Sequence, residues 1–167
     1  MLMIVRMDFI LVGQGENMDN KFTQHVVDKE TAKKNGEVWT PRTLVERMLN
    51  KIPEEKWKDP KATFLEPTFG SGNMLICMLE RRISSGISPI IALQTLFGIE
   101  LMQDNVDLCK SRIRDVLRVN KVKITKKVND IIDHNFVCSD FFKWDFENWC
   151  PKEQPESSES ELSELFT

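Results

Sequence analysis

The sequence predicts an α/β fold in which a short parallel sheet is flanked by helices, and three observations lead there. Short apolar runs at 62–66 (ATFLE), 97–101 (FGIEL) and within 131–142 (IIDHNFVCSDFF, centred on Phe136-Val137-Cys138) have the length of buried strands. Helical patterns separate these runs, so the strands must pair in parallel through crossovers. A glycine-rich turn, TFGSGN, joins the first run to the helix behind it. Three strands make about half of a usual doubly wound sheet.

Taken in order, the apolar start MLMIVRMDFILVG is expected to be a loosely packed extension, with Met7 or Met18 as the true start. It has no clear small-residue cleavage site, and Asp8 interrupts the apolar run, so a signal peptide is disfavoured. Residues 14–36 are polar and read as a loop. Thr40-Pro41 is expected to open a helix, with Thr40 as N-cap, Pro41 at the first helical position and Leu44, Val45, Met48 and Leu49 on one face. A second helix starts at Asn73, carries Leu75, Ile76, Met78, Leu79 and Ile83, and closes at Gly86. Ser88-Pro89 starts a short helix. Asp104–Leu117 is amphipathic, and the basic stretch 118–130 reads as loop. The expected organisation is an extension over 1–35, a folded domain over 36–150 and an acidic tail over 151–167.

Composition narrows the class. No apolar run reaches the ~18 residues of a membrane span. The net charge of -3 hides an asymmetry: residues 153–167 carry five Glu and no Lys or Arg, while residues 1–152 carry 23 basic and 21 acidic side chains. A mildly basic body is compatible with nucleic acid without requiring it. Cys77, Cys109, Cys138 and Cys150 form no CxxC pair and no zinc pattern with His25 or His134. They are expected to be reduced core thiols in a cytoplasmic protein.

Three places carry candidate chemistry. In Glu66-Pro67-Thr68-Phe69-Gly70-Ser71-Gly72-Asn73, the glycines allow a ligand to approach the main chain, and the turn feeds a helix N-terminus whose amides suit an anion. A tight strand-to-helix connection alone would look the same. Glu100 ends the next strand, 28 residues beyond Gly72, where an acidic residue can accept from ribose hydroxyls. Asp140-Phe141-Phe142 follows the third strand. A carboxylate there can accept from an adenine amino group and a ring can cover the adenine face, although Phe141 would serve equally well as core.

In their joint order, Gly36-Glu37-Val38-Trp39-Thr40-Pro41, FLEPTFGSGN, FGIEL and VCSDFF resemble the landmarks of N6-adenine DNA methyltransferases of the gamma order, found in restriction-modification systems and phages. The resemblance covers about residues 36–142. It implies a partial Rossmann-like S-adenosylmethionine-dependent methyltransferase fold and S-adenosylmethionine as cofactor. Thr40 and Pro41 would then lie near the methionine portion. Glu66, Pro67 and the Gly70, Gly72, Asn73 turn would hold its amino and carboxylate end, Glu100 with Leu101 would take the ribose, and Asp140 and Phe141 the adenine.

One landmark of that family is missing. Its catalytic Asn- or Asp-Pro-Pro-aromatic motif has no counterpart, because this sequence contains no Pro-Pro pair and no tyrosine. Asp59-Pro60 is followed by Lys61-Ala62, and Asn148-Trp149-Cys150-Pro151 is only a distant likeness. The expected partners are DNA, and either a second copy of the chain or a complementing methyltransferase subunit docked on an unpaired sheet edge. Lys110, Arg112, Arg114, Arg118, Lys121, Lys123, Lys126 and Lys127 are read as a solvated face, with phosphate contact as the alternative. The tail PESSESELSELFT ends in Leu162, Leu165 and Phe166, which suggests a short docking peptide for a clamp-like partner.

Overall fold

The computed structural model of the chain describes residues 2–4 and 40–152. Most of the N-terminal extension, Gly36–Trp39, and the tail with Leu162, Leu165 and Phe166 lie outside the described residues. In chain order the elements are β1 (Leu2–Ile4), α1 (Arg42–Leu49), α2 (Glu54–Lys58), β2 (Thr63–Glu66), α3 (Asn73–Ser84), α4 (Pro89–Gln94), β3 (Leu96–Glu100), α5 (Gln103–Val119), α6 (Lys126–Asn135) and β4 (Phe136–Cys138). A 3-10 turn at Phe141–Lys143 then leads into a small hairpin of β5 (Trp144–Asp145) and β6 (Cys150–Pro151).

The four main strands are all parallel and lie in the order β1-β2-β3-β4. Leu65 stands opposite Ile4 on one side and Phe97 on the other, and Ile99 stands opposite Val137. Alternation along each strand sorts the side chains onto two faces. Phe64, Leu96 and Phe136 belong to a core cluster with residues of all six helices. Leu65 and Ile99, on the opposite face, are fully buried but outside that cluster. On their face Phe97 packs against Trp149 at 4.8 Å, and Trp149 packs against Trp144 at 5.4 Å.

Several expectations need correction. The sheet has a fourth strand, β1, taken from the stretch expected to be loose extension. Leu-Met-Ile is too short for periodicity to separate a strand from any other apolar segment. Thr40 is not the cap of α1: Pro41 holds the N-cap position at φ -59, ψ 144, and no side chain caps the helix. The stretch 118–130 is not all loop, since α6 begins at Lys126 with Thr125 as its cap, Thr125 Oγ1 accepting from the Val128 amide at 3.4 Å. Val128 and Ile132, four residues apart, face the core beneath a basic exterior that hides the pattern. Pairing also reaches one residue into the expected tail, since exposed Pro151 stands opposite Trp144 in the β5–β6 hairpin. Finally, only Cys77 and Cys109 are core thiols; Cys138 and Cys150 are exposed, and all four are free.

Arg82 was not expected inside, yet it is fully buried. It sits three residues after Leu79 and four after Met78, on the buried stripe of α3, while Ile83 is only half-buried. Its guanidinium donates to the carbonyls of Lys56, Trp57 and Asp59 and to Thr95 Oγ1, and lies 5.1 Å from the Phe64 ring centre. Trp57 stacks on the same Phe64 at 4.8 Å. This clamp fixes the approach to β2 and therefore where its far tip emerges.

Candidate functional site

The tips of β2, β3 and β4 lie side by side because the strands are parallel and adjacent. At the tip of β2 the chain turns sharply through Gly70 (φ 51) and Gly72 (φ 89), a left-handed backbone that a side chain opposes. Phe69 anchors the bend. It is buried, meets Phe136 edge-on at 6.4 Å, and its amide donates to Ile99 O at 3.3 Å. It needs Gly98 beneath it, since a Cβ there would lie 2.6 Å from Phe69 Cδ1. Gly72 N donates back to Phe69 O at 2.8 Å, and α3 then begins with first-turn amides that have no intrahelical acceptor.

Glu100 ties the bend to the next strand. Its Oε2 accepts from the Gly70 amide at 2.8 Å and its Oε1 from the Met102 amide at 3.0 Å. Two amides use about half of a carboxylate's accepting capacity, so each oxygen can still take a hydroxyl. Leu101, immediately beyond, is 71% exposed. The β3–β4 ladder continues past the strands, with Ser139 N donating to Glu100 O at 2.9 Å. That contact delivers Asp140 to the same rim. Asp140 Oδ1 accepts from the Phe142 amide at 3.0 Å, which closes the 3-10 turn and leaves Oδ2 for another donor. Phe141 is half-buried against Phe146 at 4.9 Å, and Phe142 is 81% exposed.

Glu66, the last residue of β2, is 1% exposed, and its Oε2 has no hydrogen-bond partner among the described residues. The Thr68 amide bonds the carboxylate, but burial outweighs it and pushes the acid up to about 8. A buried carboxyl oxygen without a donor is costly unless the group is neutral or something supplies the missing contact.

The structure thus brings Glu66, Pro67, Gly70, Gly72, Asn73, Glu100, Leu101, Asp140 and Phe141 to one end of the sheet. Thr40 and Pro41 precede α1, and no hydrogen bond joins them to this group among the described residues. Helix α1 is instead pinned to α3 by Arg42–Glu80 (2.9 Å) and Glu46–Arg81 (2.7 Å).

A family model for N-6 DNA methylases matches residues 20–134. The chain belongs to the N-6 DNA methylase family. The match spans the glycine turn and Glu100, and stops just before β4. No curated protein and no solved structure matches the chain. Methyltransferases of this family generally draw the methyl group from S-adenosylmethionine, and the orphaned Glu66 oxygen and the half-used Glu100 carboxylate suit a ligand that brings an ammonium and a diol.

Two residues of this N-6 methylase domain support the bend in a role the sequence reading did not give them: Arg112 was expected on a solvated face, and Cys109 only as a core thiol. Arg112 Nη1 donates to Ser71 O at 2.6 Å, holding the glycine bend from α5, and Cys109 packs directly under Gly72. Both lie on the Asn105–Cys109–Arg112 stripe, at helical spacing, so the signal was present. Several other members of the basic cluster are also engaged: Lys110 with Asp133, Arg114 with Asn129, Arg118 with Asp115 and Lys126 with Asp130. Helix α5 starts at the strand tips and runs back to meet α6, so loop 120–125 lies toward the opposite end of the sheet from Glu100. No described helix is long and apolar enough to cross a membrane.

Proposed function

We propose that this chain is the S-adenosylmethionine-binding portion of an adenine-specific DNA methyltransferase of the gamma order. One observation carries the reading: the Gly70 amide and the Glu100 carboxylate, 30 residues apart in sequence, meet at 2.8 Å at the rim where Asp140 also arrives. A nucleoside lying across the strand tips would find the ribose acceptor on Glu100, the adenine acceptor on Asp140, and apolar cover from Leu101 and Phe141. The methionine end would lie toward Glu66 and the first-turn amides of α3, with Thr40 and Pro41 at the outer margin. The bound sulfonium supplies an electrophilic methyl group. The chain's own residues bind and orient it: Glu100 fixes the ribose, Arg112 and Cys109 hold the bend in shape, and Glu66 receives the amino group.

Methyl transfer also needs acceptors for the target amino group and an aromatic platform for the flipped base. Within this sequence no Pro-Pro-aromatic motif offers them. Asn148-Trp149-Cys150-Pro151 is committed to the hairpin, with Asn148 Nδ2 on Asp145 at 2.8 Å and Trp149 Nε1 on His134 O at 2.7 Å. Donor binding therefore falls to this chain, and the acceptors for the target base must be supplied from outside this sequence.

Calorimetry with S-adenosylmethionine and S-adenosylhomocysteine tests the reading. Binding of both is expected, with at least a tenfold loss in Glu100→Ala. No heat and no thermal shift at millimolar ligand, or undiminished binding by the variant, would refute it. A methylation assay on adenine-containing DNA, run with and without a polypeptide carrying the motif, tests the division of labour.

A further inference from the structure

We infer that Glu66 is an uncharged carboxylic acid in the ligand-free protein and gives its proton to solvent when a ligand's ammonium group arrives, so that binding at this site releases a proton. The inference rests on the proposed donor-binding role and adds a linkage which that role does not require.

The geometry supports it. Glu66 is 1% exposed at the inner end of the glycine bend, and its Oε2 is buried without a partner. No cation compensates it among the described residues. Strand β1 is Leu-Met-Ile and α4 is Pro-Ile-Ile-Ala-Leu-Gln, neither with a charge. On β3 the nearby charge is Glu100, bonded to the Gly70 and Met102 amides, and beyond β4 it is Asp140, bonded to the Phe142 amide. On α5, Arg112 is bonded to Ser71 O, and on α1, Arg42 is paired with Glu80. On α3 the charges are Glu80, Arg81 and Arg82, two or more turns from the bend, with Arg82 spent on the Trp57 and Asp59 carbonyls. His134 stands before β4, at the opposite strand end. Burial is the leading cause that pushes Glu66 up to about 8. An arriving ammonium supplies the missing counter-charge and donor at once. The acid's O–H bond then breaks, its proton leaves to buffer, and a charge-assisted hydrogen bond forms between the carboxylate and the ligand.

The test is calorimetry with S-adenosylhomocysteine at about pH 6.5–7, where an ordinary α-amino group is still mostly protonated. Buffers of different ionisation enthalpy count the protons. About one proton released per ligand is expected, with affinity rising close to tenfold from pH 6 to pH 7. Adenosine, which lacks the amino acid, should bind without release. Glu66→Gln should bind S-adenosylhomocysteine with no release and no pH slope. Binding without proton release, or release that persists in Glu66→Gln or with adenosine, overturns this inference and leaves the donor-binding role standing. Absence of binding at every pH overturns both. Should Glu66→Gln fail to fold, the wild-type contrast between S-adenosylhomocysteine and adenosine still decides.

Discussion

Cys109 occupies the space that a side chain on Gly72 would need. A Cβ built at Gly72 overlaps the Cys109 sulfur and comes within 3.0 Å of its Cβ. The bend and α5 are therefore moulded against each other, and the glycine serves both backbone and packing.

Gly72→Ala combines a left-handed alanine (φ 89) with an overfilled contact. The expected loss is about 2–4 kcal/mol in urea unfolding. Cys109→Ala in the same chain should recover only part of it, since the Cβ contact and the backbone strain remain. Full recovery would show that the sulfur is the whole obstacle.

Arg82→Ala should cost about 3 kcal/mol or more, because it strands the carbonyls of Lys56, Trp57 and Asp59 and opens a cavity beside Phe64. Arg82→Lys should recover only a minor share, since one ammonium cannot reach the span of acceptors that the planar guanidinium reaches. Denaturant midpoints of the two variants check both statements.

A thiol-exchange reagent at neutral pH should label Cys138 and Cys150 quickly and Cys77 and Cys109 only on unfolding. Burial pushes Cys77 up to about 11 and Cys109 up to about 12, so neither offers thiolate while folded. Rapid reaction of all four would contradict the packing of α3 and α5.

Glu66 makes stability depend on pH in a defined direction. The folded carboxyl titrates at about 8, against an ordinary 4.5 in the unfolded chain. Between those values the folded state keeps a proton that the unfolded state has given up. The associated stability is whole below about pH 4.5, declines by about 1.4 kcal/mol per pH unit, and is gone above about pH 8. Glu66→Gln should gain on the wild type by that slope over the same window. Parallel stability curves for the two proteins would show that the carboxyl is ionised when folded.

The sheet and the site were legible in the sequence to different depths. ATFLE, FGIEL and the Phe136–Cys138 run announced β2, β3 and β4, and the expected helix starting at Asn73 begins there. The bend and Glu100 were found because glycine pairs and strand-end acids are local signals. Their mutual hydrogen bond was not, because it depends on how closely β2 and β3 seat. Helix α6 was hidden because Lys126 and Lys127 dominate its first turn while Val128 and Ile132 do the packing. β1 escaped because three apolar residues carry no period. Arg82 was overlooked because a charged side chain reads as surface until its acceptors are known.

Sheet order follows chain order from β1 to β4, so Gly70 and Glu100 can meet once β3 has paired with β2, whereas Asp140 joins them only when β4 docks. A molecule gripped by all three has nothing complete to hold until the last strand is seated. Its benefit should therefore fall on the rate of opening, prolonging the lifetime of the assembled domain while leaving the speed of its formation nearly untouched.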